Sequence, residues 1–378
     1  MKIWVIGRDY PSSQNRLRGS FEIEQAKMLA RGGHDVTYLC VSFHPKRKIR
    51  NWGYASWKEE GITVCAYSQI FFPERFHIRM DWLCSRAWKK LLSQAEQTVG
   101  LPELIHVHYP AMITDPKAIL AYQKQGIRIV VTEHWTKVLS KKLNAAESAQ
   151  LSAYTEHADG FICVGEPLRK SILEQTGTKR PLTVVPNVVD SIFQPQETAR
   201  SADEPYTFVT AARLVKVKQI DKVIEAVAAL RKEGVKLRYL VIGDGTERAA
   251  LEALTQRLGM QDTVHFYGAQ PKEQVAKIVA QSDCLICYSS LETFGVPIIE
   301  AWASGIPVIS SDCLGLAEYW QDGLGYIVSY KDLSELTDRM KQIMNEPEKY
   351  DKQRLAEYAR THFSESVIRG KIENVYRQ

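Results

Sequence analysis

Two series of alternating strand-like and helix-like segments constrain the fold of this chain more than any other feature. Short apolar runs rich in β-branched residues alternate with amphipathic stretches over residues 2–185, and the alternation starts again at residue 207. Such alternation predicts a parallel sheet with helices on both faces. A polar segment with prolines near both ends, residues 194–205, separates the two series and is typical of a linker. The sequence therefore predicts two tandem doubly wound, Rossmann-like α/β domains.

The domain boundaries follow from this pattern. The N-terminal domain is predicted over residues 1–193 and the C-terminal domain over residues 206–350. Strands are predicted at residues 2–6, 35–41, 104–107, 127–132, 160–164, 182–185, 207–211, 236–242, 263–266, 283–287, 307–310 and 325–328, with helices between them, including one at 75–98. Residues 351–378 are predicted to form C-terminal helices. Ligands of open α/β sheets bind beyond the carboxyl ends of the strands, so we expect the site in a cleft between two facing domains.

The composition is that of a folded protein without a membrane span. Of 378 residues, 45% are hydrophobic and 25% are charged, which excludes disordered, collagen-like and disulfide-rich classes. No apolar run approaches the ~20 residues that cross a bilayer, and the early charges of Lys2 and Arg8 do not fit a signal peptide. We therefore expect a cytoplasmic location.

Cysteine usage indicates packing rather than chemistry. The seven cysteines lack the spacing of a disulfide framework. Cys284 and Cys287 form a C-x-x-C pattern, but they lie in an apolar run. We predict a buried strand there, because free cysteine is usually buried and no second cluster lies nearby to complete a zinc site.

The net charge of +5 is divided unevenly along the chain. Residues 1–190 contain 26 Lys and Arg against 18 Asp and Glu, a balance of +8, whereas residues 191–378 contain 23 against 26, a balance of −3. A basic first half predicts an anionic partner such as a phosphorylated substrate, a membrane surface or nucleic acid. Nucleic acid is disfavoured, because the chain has no recognition motif and its second half is acidic.

The segment from Glu292 to Glu300 carries the clearest chemical pattern. Gly295 permits a tight turn after a predicted strand, and Pro297 suits the first turn of a helix. A helix N-terminus presents free N–H groups to a phosphate, while carboxylates can accept hydrogen bonds from sugar hydroxyls. The combination indicates a nucleotide-sugar site, although chance also produces two glutamates at this spacing.

A basic loop follows the first strand of the second domain. Arg213 and Lys218 come after the predicted strand end, where two cations can neutralise a diphosphate and stabilise it as a leaving group. A solvated surface loop is the alternative. Gly243, in the run Gly243-Asp-Gly245 after the next strand, permits close backbone approach, which a bare tight turn also explains. The chain has no P-loop pattern.

The first domain has candidates at its own strand ends. Gly19 opens a predicted helix after a long first loop, and long loops in such folds often have a function. His106 and His108 end one predicted strand, while Glu133 and His134 end another. A single histidine is usually structural, but histidines at neighbouring strand ends favour a site, with His134 the preferred candidate.

Six segments together resemble the family-4 glycosyltransferases of the GT-B fold. They occur in the order of that family and the resemblance covers nearly the whole chain: residues 19–36, 185–193, 212–218, 242–245, 292–300 and 300–308. The resemblance implies two facing Rossmann-like domains and retaining transfer of a sugar from a nucleotide diphosphate, with a UDP-sugar favoured. It also implies that the last helix, 366–378, returns to the first domain.

The resemblance also implies roles for particular residues. Arg213 and Lys218 hold the diphosphate, Glu300 accepts the ribose hydroxyls, and Glu292 contacts the donor sugar. His134 faces the sugar near its anomeric centre. The remaining donor-binding positions are the backbone groups of Gly19, Gly243, Phe294, Gly295 and Val296, and the turn at residues 267–270 is expected to hold the base. Many relatives have two glycines shortly before Glu318, where this chain has only Gly315.

The expected chemistry needs no cofactor. Positive side chains and a helix end can stabilise the departing diphosphate without a metal, and the chain contains no Asp-x-Asp pattern. Retention by same-face attack is favoured, with double displacement through Glu133 left open. The catalytic candidates are His134, Arg213, Lys218 and Glu292.

The acceptor and the location are less constrained. A carbohydrate or lipid-linked acceptor in cell-surface polysaccharide or glycoconjugate assembly is expected from the resemblance. Basic and aromatic residues mix at 46–52 and 70–92, which suits an anionic membrane surface, or else a packed helix with a solvated edge. A nucleotide-sugar 2-epimerase and a non-catalytic sugar-nucleotide-binding protein are the alternative functions.

Overall fold

Two units make up the molecule. The computed structural model describes residues 1–10, 19–44, 52–70, 80–113, 116–197, 204–313 and 315–378. The first unit contains Met1–Val185 and Arg369–Gln378, and the second contains Pro186–Ile368. Each unit has its own sheet.

The sheet of the first unit has eight strands within the described residues. In chain order they are β1 (Lys2–Gly7), β2 (Asp35–His44), β3 (Gly53–Glu59), β4 (Ile62–Ile70), β5 (Leu104–His108), β6 (Arg128–Glu133), β7 (Gly160–Cys163) and β8 (Thr183–Val184). Their order across the sheet is β3-β4-β2-β1-β5-β6-β7-β8. All neighbours are parallel except β3 and β4. The central strands are buried on both faces, which explains their nearly continuous apolar sequences.

Helices cover this sheet. They are α1 (Ser20–Arg31), α2 (Met80–Val99), α3 (Pro110–Ile113), α4 (Pro116–Leu120), α5 (Thr136–Leu139), α6 (Ala145–His157) and α7 (Glu166–Thr176). Asn144 caps α6 by accepting a hydrogen bond from the Glu147 N–H, and the Glu147 carboxylate accepts one in return from the Asn144 N–H. The predicted helix at 75–98 corresponds to α2, and residues 75–79 lie outside the described part of the chain.

The sequence prediction missed the hairpin formed by β3 and β4. Its turn residues, Glu60 and Gly61, both have positive φ, as a two-residue turn of type I′ requires. Asparagine or aspartate before the glycine would have indicated such a turn, whereas glutamate does not. The edge strand β3 is largely exposed and therefore lacks an apolar pattern.

The sheet of the second unit has six strands within the described residues. They are β9 (Tyr206–Ala211), β10 (Leu237–Ile242), β11 (Val264–Gly268), β12 (Cys284–Cys287), β13 (Val308–Ser311) and β14 (Gly325–Val328). All neighbours are parallel, in the order β11-β10-β9-β12-β13-β14. This is the Rossmann strand order. The prediction of two tandem doubly wound α/β domains is confirmed.

The prediction for the C-x-x-C segment is also confirmed. Cys284 and Cys287 begin and end β12, and all four residues of this strand are buried. Residues three apart on a strand point to opposite faces of the sheet. The two thiols therefore cannot share a metal ion, and they belong to the packing of the sheet.

Seven further helices lie in the second half of the chain as described. They are α8 (Ile220–Lys232), α9 (Arg248–Arg257), α10 (Lys272–Ala280), α11 (Val296–Ala303), α12 (Leu333–Asn345), α13 (Lys352–Phe363) and α14 (Glu365–Arg377). The residues of α14 from Arg369 onward belong to the first unit. There the Tyr376 hydroxyl lies 2.7 Å from His106 Nδ1, and Glu373 Oε1 lies 3.1 Å from His34 Nε2.

The first unit ends eight residues earlier than the predicted boundary at 193. The division falls after Val185, because the segment that follows is bonded to the second unit. The Val189 N–H donates to the Phe363 carbonyl at 2.9 Å, and Asp190 pairs with Lys272 at 2.8 Å. Much of the predicted linker, residues 198–203, lies outside the described part of the chain. Among the helices that are described, none has both the length and the apolarity to cross a membrane.

Candidate active site

In the second unit, the strand order reverses between β9 and β12, which is where ligands of such sheets bind. The loop after β9 carries Arg213 and Lys218, and the loop after β12 carries Glu292. The Ser290 N–H donates to the Val217 carbonyl at 2.8 Å and joins the two loops. The strand order therefore brings together two segments that lie about 75 residues apart in the sequence.

Lys218 and Glu292 form an ion pair at this point. The Lys218 ammonium donates to Glu292 Oε2, and the side chains are 21% and 13% exposed. Burial lowers the pKa of Lys218, but the carboxylate of Glu292 outweighs burial and the net pKa is raised. The lysine therefore remains an ammonium ion with most of its water removed. Arg213 is exposed, and its charge acts on Lys218 by lowering the same pKa.

Gly243 supports the loop that carries Arg213. A Cβ atom at Gly243 would lie 1.8 Å from the Ala212 carbonyl oxygen, and one at Gly245 would lie 2.2 Å from that of Leu214. The Leu214 N–H also donates to the Asp244 carbonyl at 2.9 Å. Only glycine permits this contact between the loops after β9 and β10. The close approach seen at Gly243 is thus to the protein's own backbone.

The segment from Glu292 to Glu300 forms the predicted strand, turn and helix. Gly295 has φ of 100° and precedes α11, whose first turn contains Pro297. Phe294 is buried against Phe363, with ring centroids 6.2 Å apart. The N–H of Val296 lies in the first turn, where a helix offers no internal acceptor. The backbone here can accordingly donate to an anion.

Gly315 is a supporting residue whose role the sequence did not indicate. A Cβ atom there would lie 1.9 Å from the Thr293 carbonyl oxygen. The backbone beside Glu292 is therefore packed directly on this glycine. Leu316, the residue that follows, is buried.

Glu300 lies in the second turn of α11 and is half-buried. Burial raises the pKa of its carboxyl to about 7; the Lys272 ammonium opposes this rise and the Asp190 carboxylate adds to it. Within the described residues, no hydrogen bond to this carboxylate is found. Its oxygens are therefore free to accept hydrogen bonds from a ligand.

The predicted base-binding turn lies at the end of β11. Tyr267 is exposed, and Gly268 has φ of 69°. The Gly243 N–H donates to the Gly268 carbonyl at 2.8 Å, so this turn adjoins the glycine-rich loop after β10.

In the first unit, the strand order reverses between β1 and β5. His106 and His108 lie on β5, and His134 follows β6. The rings of His106 and His108 are stacked with centroids 4.5 Å apart, and those of His108 and His134 with centroids 5.3 Å apart. The three imidazoles thus form a column across the carboxyl ends of two strands.

His134 is held as a neutral imidazole. Its Nε2 lies 3.0 Å from His108 Nδ1, and its ring stacks on Tyr109 with centroids 4.9 Å apart. Burial, followed by the charge of Arg8, lowers the pKa of His134 to about 3. A neutral imidazole can donate and accept hydrogen bonds with sugar hydroxyls but brings no charge of its own.

A buried ion pair that the sequence did not indicate adjoins this column. Arg8 Nε lies 2.6 Å from Glu22 Oε1, and Glu22 is completely buried. The guanidinium carbon lies 3.6 Å from the centre of the Tyr109 ring. Tyr109 has φ of 53°, a strained value for a residue with a side chain. The position of Arg8 directly after β1 is the signal that could have identified it.

Glu133 is unavailable to a substrate in this arrangement. It is completely buried, and its Oε1 accepts hydrogen bonds from the N–H groups of His134 and Trp135, both at 2.8 Å. Its Oε2 accepts a longer one, 3.4 Å, from Ala111. Burial raises its pKa to about 7 against the effect of these donors. The carboxyl therefore orders the backbone that carries His134.

Gly19 begins α1 with φ of 79°. A Cβ atom there would lie 2.1 Å from the Asp9 carbonyl oxygen, which also accepts a hydrogen bond from the Tyr38 hydroxyl at 2.7 Å. Gly19 is thus required for contact between the start of α1 and the loop after β1. Among the described residues, no group of three or more His, Cys, Asp or Glu is placed to hold a metal ion.

Two family models match the two halves of this chain. "Glycosyltransferase Family 4" matches residues 23–192, and "Glycosyl transferases group 1" matches residues 193–362. Together the two models cover residues 23–362, and over that range the chain is a glycosyltransferase that resembles family 4. The predicted resemblance is confirmed, and glycosyl transfer is the activity of this family.

Similar proteins cover the whole chain. N-acetyl-alpha-D-glucosaminyl L-malate synthase of Bacillus anthracis is 26% identical over 100% of this chain and 96% of its own length. The structure of sucrose-phosphate synthase from Thermosynechococcus elongatus has a TM-score of 0.78 at 19% identity, covering 100% of this chain and 98% of that one. The structure of Anabaena HepE in complex with UDP and glucose has a TM-score of 0.74 at 16% identity and covers all of both chains. At these identities, the two structures show the shared fold.

Proposed function

We propose that this glycosyltransferase transfers a hexose or related sugar, with retention, from a UDP-sugar to a carbohydrate or lipid-linked acceptor. The observation that carries the proposal is the Lys218–Glu292 ion pair beside the glycine-capped start of α11. It combines a cation for the diphosphate, a carboxylate for the sugar and backbone donors for phosphate oxygens. The complex of Anabaena HepE with UDP and glucose supports UDP as the nucleotide.

The proposed roles of the second unit follow from its charges. Lys218 and the exposed Arg213 stabilise the negative charge that develops on the departing diphosphate. Glu292 orients the donor sugar while holding Lys218 in place. Glu300 accepts the ribose hydroxyls, because its carboxylate lacks other hydrogen-bond partners among the described residues. Gly295 and Val296 contribute their N–H groups.

In the first unit, we assign His134 to the donor sugar. Its neutral ring can bond to a hydroxyl without competing with the cations for the diphosphate. Glu133 is completely buried and bonded to three backbone N–H groups. Same-face attack is therefore favoured over double displacement, with the leaving phosphate accepting the acceptor's proton. No metal is assigned a role in this mechanism.

The acceptor side of the proposal includes a membrane surface. Trp52 is 50% exposed and Trp82 is 56% exposed, both in the basic N-terminal half. Exposed tryptophans beside lysine and arginine suit the headgroup region of an anionic bilayer. Many of the basic and aromatic residues that motivated this proposal, 45–51 and 71–79, lie outside the described part of the chain.

A ligand panel tests the donor assignment. We would measure the thermal stability of the protein with UDP, GDP, ADP and their sugar conjugates, with and without EDTA. A ligand at 100 times its Kd adds roughly 2.7 kcal/mol to the free energy of unfolding. A shift with uridine nucleotides alone, unchanged by EDTA, is expected. A shift with another nucleotide class would overturn the choice of base, and loss of the shift with EDTA would overturn metal independence.

Product analysis tests the reaction itself. Incubation with the donor identified above and a mixture of candidate acceptors should release UDP only when an acceptor is present. The anomeric configuration of the product, measured by NMR, should match that of the donor. Acceptor-independent conversion of the nucleotide sugar would indicate an epimerase instead. His134→Ala should impair transfer more than donor binding; the reverse pattern would make His134 structural.

A further inference from the structure

A groove of about 590 Å³ lies on the first unit, between α2 and the β3–β4 hairpin. Its lining residues are Gly53, Tyr54, Tyr67, Trp82, Ser85, Arg86, Lys89, Lys90, Ser93 and Gln94. Of these residues, only Trp82 enters the proposed function, as an exposed ring of a membrane-facing surface. Gly53 pairs with Ser68 and Tyr54 with Tyr67, near the carboxyl end of β4. Because parallel strands end at one edge of a sheet, this part of the groove lies near the edge that also carries His108 and His134.

One face of α2 forms a continuous wall of this groove. The lining positions from Trp82 to Gln94 recur at intervals of three and four residues, which places them on one side of a helix. The other side of the helix, with Trp88, Leu91 and Leu92 among its residues, is buried in the unit. The helix is thus fixed by its apolar side and presents a polar side to the groove.

The charge on this wall is entirely positive. Arg86, Lys89 and Lys90 are spaced so that they are neighbours on the helix surface, where like charges destabilise the helix. Within the described residues, none of the three has a salt-bridge partner, and the groove lining includes no acidic residue. The three cations are therefore available to an anion of more than one charge.

Aromatic rings accompany the cations. The Arg86 guanidinium lies 5.3 Å from the centre of the Trp82 ring, and the Lys90 ammonium lies 5.9 Å from that of Tyr67. Trp82 is 56% exposed, so its ring remains accessible. Such a ring can pack against the C–H face of a sugar or cyclic polyol, because an aromatic face is negative and aliphatic C–H groups are weakly positive.

We propose that this groove binds a phosphorylated sugar or cyclic polyol. The phosphate contacts Arg86, Lys89 and Lys90, and the ring packs against Trp82. A volume of about 590 Å³ is that of a small-molecule site. The same chemistry occurs in a free sugar phosphate and in the headgroup of a phospholipid. That this ligand is the acceptor of the transfer rests on the proposed function, whereas its binding in the groove does not.

Binding can be measured at the groove itself. The protein is labelled with 5-fluorotryptophan, and the ¹⁹F signal of Trp82 is assigned by comparison with Trp82→Phe. Titration with glucose 6-phosphate should shift this signal to saturation. Inorganic phosphate should bind at least threefold more weakly, since it lacks a ring. An unmoved Trp82 signal would overturn the groove as a site, and equal affinities would overturn the ring contact.

A matched pair of variants tests the role of the cations. Arg86→Gln/Lys89→Gln/Lys90→Gln should weaken glucose 6-phosphate binding at least tenfold. Lys124→Gln/Lys142→Gln/Lys179→Gln removes three exposed charges elsewhere in the same unit and should change the Kd less than twofold. Equal weakening in both would show a general charge effect and overturn the proposal. Circular dichroism establishes whether both variants retain the helix content of the unmodified protein.

Vesicles identify the source of the ligand. Sedimentation with phosphatidylcholine vesicles containing 20% phosphatidylinositol is compared between the two triple variants and the unmodified protein. If only the Arg86→Gln/Lys89→Gln/Lys90→Gln variant loses vesicle binding, the ligand is a lipid headgroup. If the unmodified protein binds no vesicles but its Trp82 signal responds to glucose 6-phosphate, the ligand is a free sugar phosphate. Vesicle binding without any response of Trp82 to glucose 6-phosphate would overturn the groove in favour of a charged membrane surface.

Discussion

Glu133 and Glu300 have the same raised pKa and opposite surroundings. Each carboxyl titrates at about 7, and in each the main cause is burial. Glu133 follows a strand of the first unit and its oxygens accept hydrogen bonds from three backbone N–H groups. Glu300 lies on a helix of the second unit, and no hydrogen bond to its carboxylate is found within the described residues. The hydrogen-bond acceptors of Glu133 are used by the protein's own backbone, whereas those of Glu300 remain available to a ligand.

The comparison shows that a perturbed pKa does not by itself identify a site residue. Desolvation raises the pKa of both groups. What distinguishes them is whether the lone pairs of the carboxylate are already used. By this criterion Glu133 stabilises the loop of His134, while Glu300 has the properties of a binding residue.

Removal of Glu133 should produce the largest change. Glu133→Ala leaves the N–H groups of His134 and Trp135 without an acceptor in a buried site, which costs about 1–3 kcal/mol for each group. We expect the free energy of unfolding to fall by about 3 kcal/mol or more. Urea denaturation measures this value for the wild type and the variant.

Glu300→Ala is the matched control for that experiment. Its carboxylate has no hydrogen bond to lose within the described residues, so the free energy of unfolding should change by less than about 1 kcal/mol. Equal destabilisation by the two substitutions would contradict the distinction between a satisfied and an open carboxyl.

A positively charged residue of the proposed site, Lys218, should show its effect in turnover. Lys218→Ala removes a preorganised cation from the proposed diphosphate site and should lower kcat by roughly 100-fold or more, which corresponds to about 2.7 kcal/mol. Lys216→Ala, two residues earlier in the same loop and exposed, should retain nearly full activity. Steady-state kinetics with the UDP-sugar donor measures kcat for both variants. Wild-type turnover of Lys218→Ala would exclude its role in leaving-group stabilisation.

For donor affinity, substitution of Glu300 should have the larger effect and substitution of Glu133 the smaller one. Glu300→Ala removes charged acceptors of ribose hydroxyls, and hydrogen bonds to a charged group contribute about 1.5–3 kcal/mol, so the Kd for a UDP-sugar should rise tenfold or more. Calorimetric titration measures it. Glu133→Gln, which preserves most of the acceptor geometry, should leave this Kd within about twofold. An unchanged Kd in Glu300→Ala would remove that residue from the donor site.

The sequence was sufficient to predict features set by local patterns. Strand ends and helix starts located Lys218, Glu292 and Glu300, because the loops of a doubly wound sheet place such residues at its carboxyl edge. His134 was found in the same way. The residue types at these positions carried the chemical information, since a cation can neutralise a diphosphate and a carboxylate can accept hydrogen bonds from sugar hydroxyls.

Features that depend on tertiary contacts were not accessible from one sequence. Arg8 pairs with Glu22 across 14 residues. The place of Arg8 at a strand end can be read from the sequence, but its pairing with a buried carboxylate cannot. The roles of Gly243 and Gly315 depend on the carbonyl groups of Ala212 and Thr293, which only the fold brings near. Such contacts have no periodicity in the sequence, so they became visible only in the structure.

The smallest expected effect is a pair of opposite pH dependences. The Glu300 carboxylate is the form that accepts hydroxyl groups, so donor affinity should increase as the pH rises through about 7. If only the ionised form binds, the Kd for a UDP-sugar falls about threefold between pH 6.5 and 7.5. A UDP-sugar is preferable to UDP, because its diphosphate lacks the second ionisation near pH 6 that a terminal phosphate has. Glu300→Gln should show no such dependence.

The free energy of unfolding should decrease as the pH rises over the same range, whereas donor affinity increases. The pKa of Glu133 is raised from 4.5 in the unfolded chain to about 7 in the fold, so the folded state retains a proton that the unfolded state releases. This contribution to the free energy of unfolding is complete below about pH 4.5 and is lost as the pH rises through 7. Glu133→Gln should flatten that part of the profile in urea denaturation at pH 5, 6, 7 and 8, while leaving the pH dependence of donor affinity in place. The raised pKa of Glu300 adds to the same slope, so Glu300→Gln should flatten part of the stability profile as well as abolish the pH dependence of donor affinity. Loss of the donor-affinity dependence in Glu133→Gln would show that the two carboxyls are not independent, and the distinction between them would then be wrong.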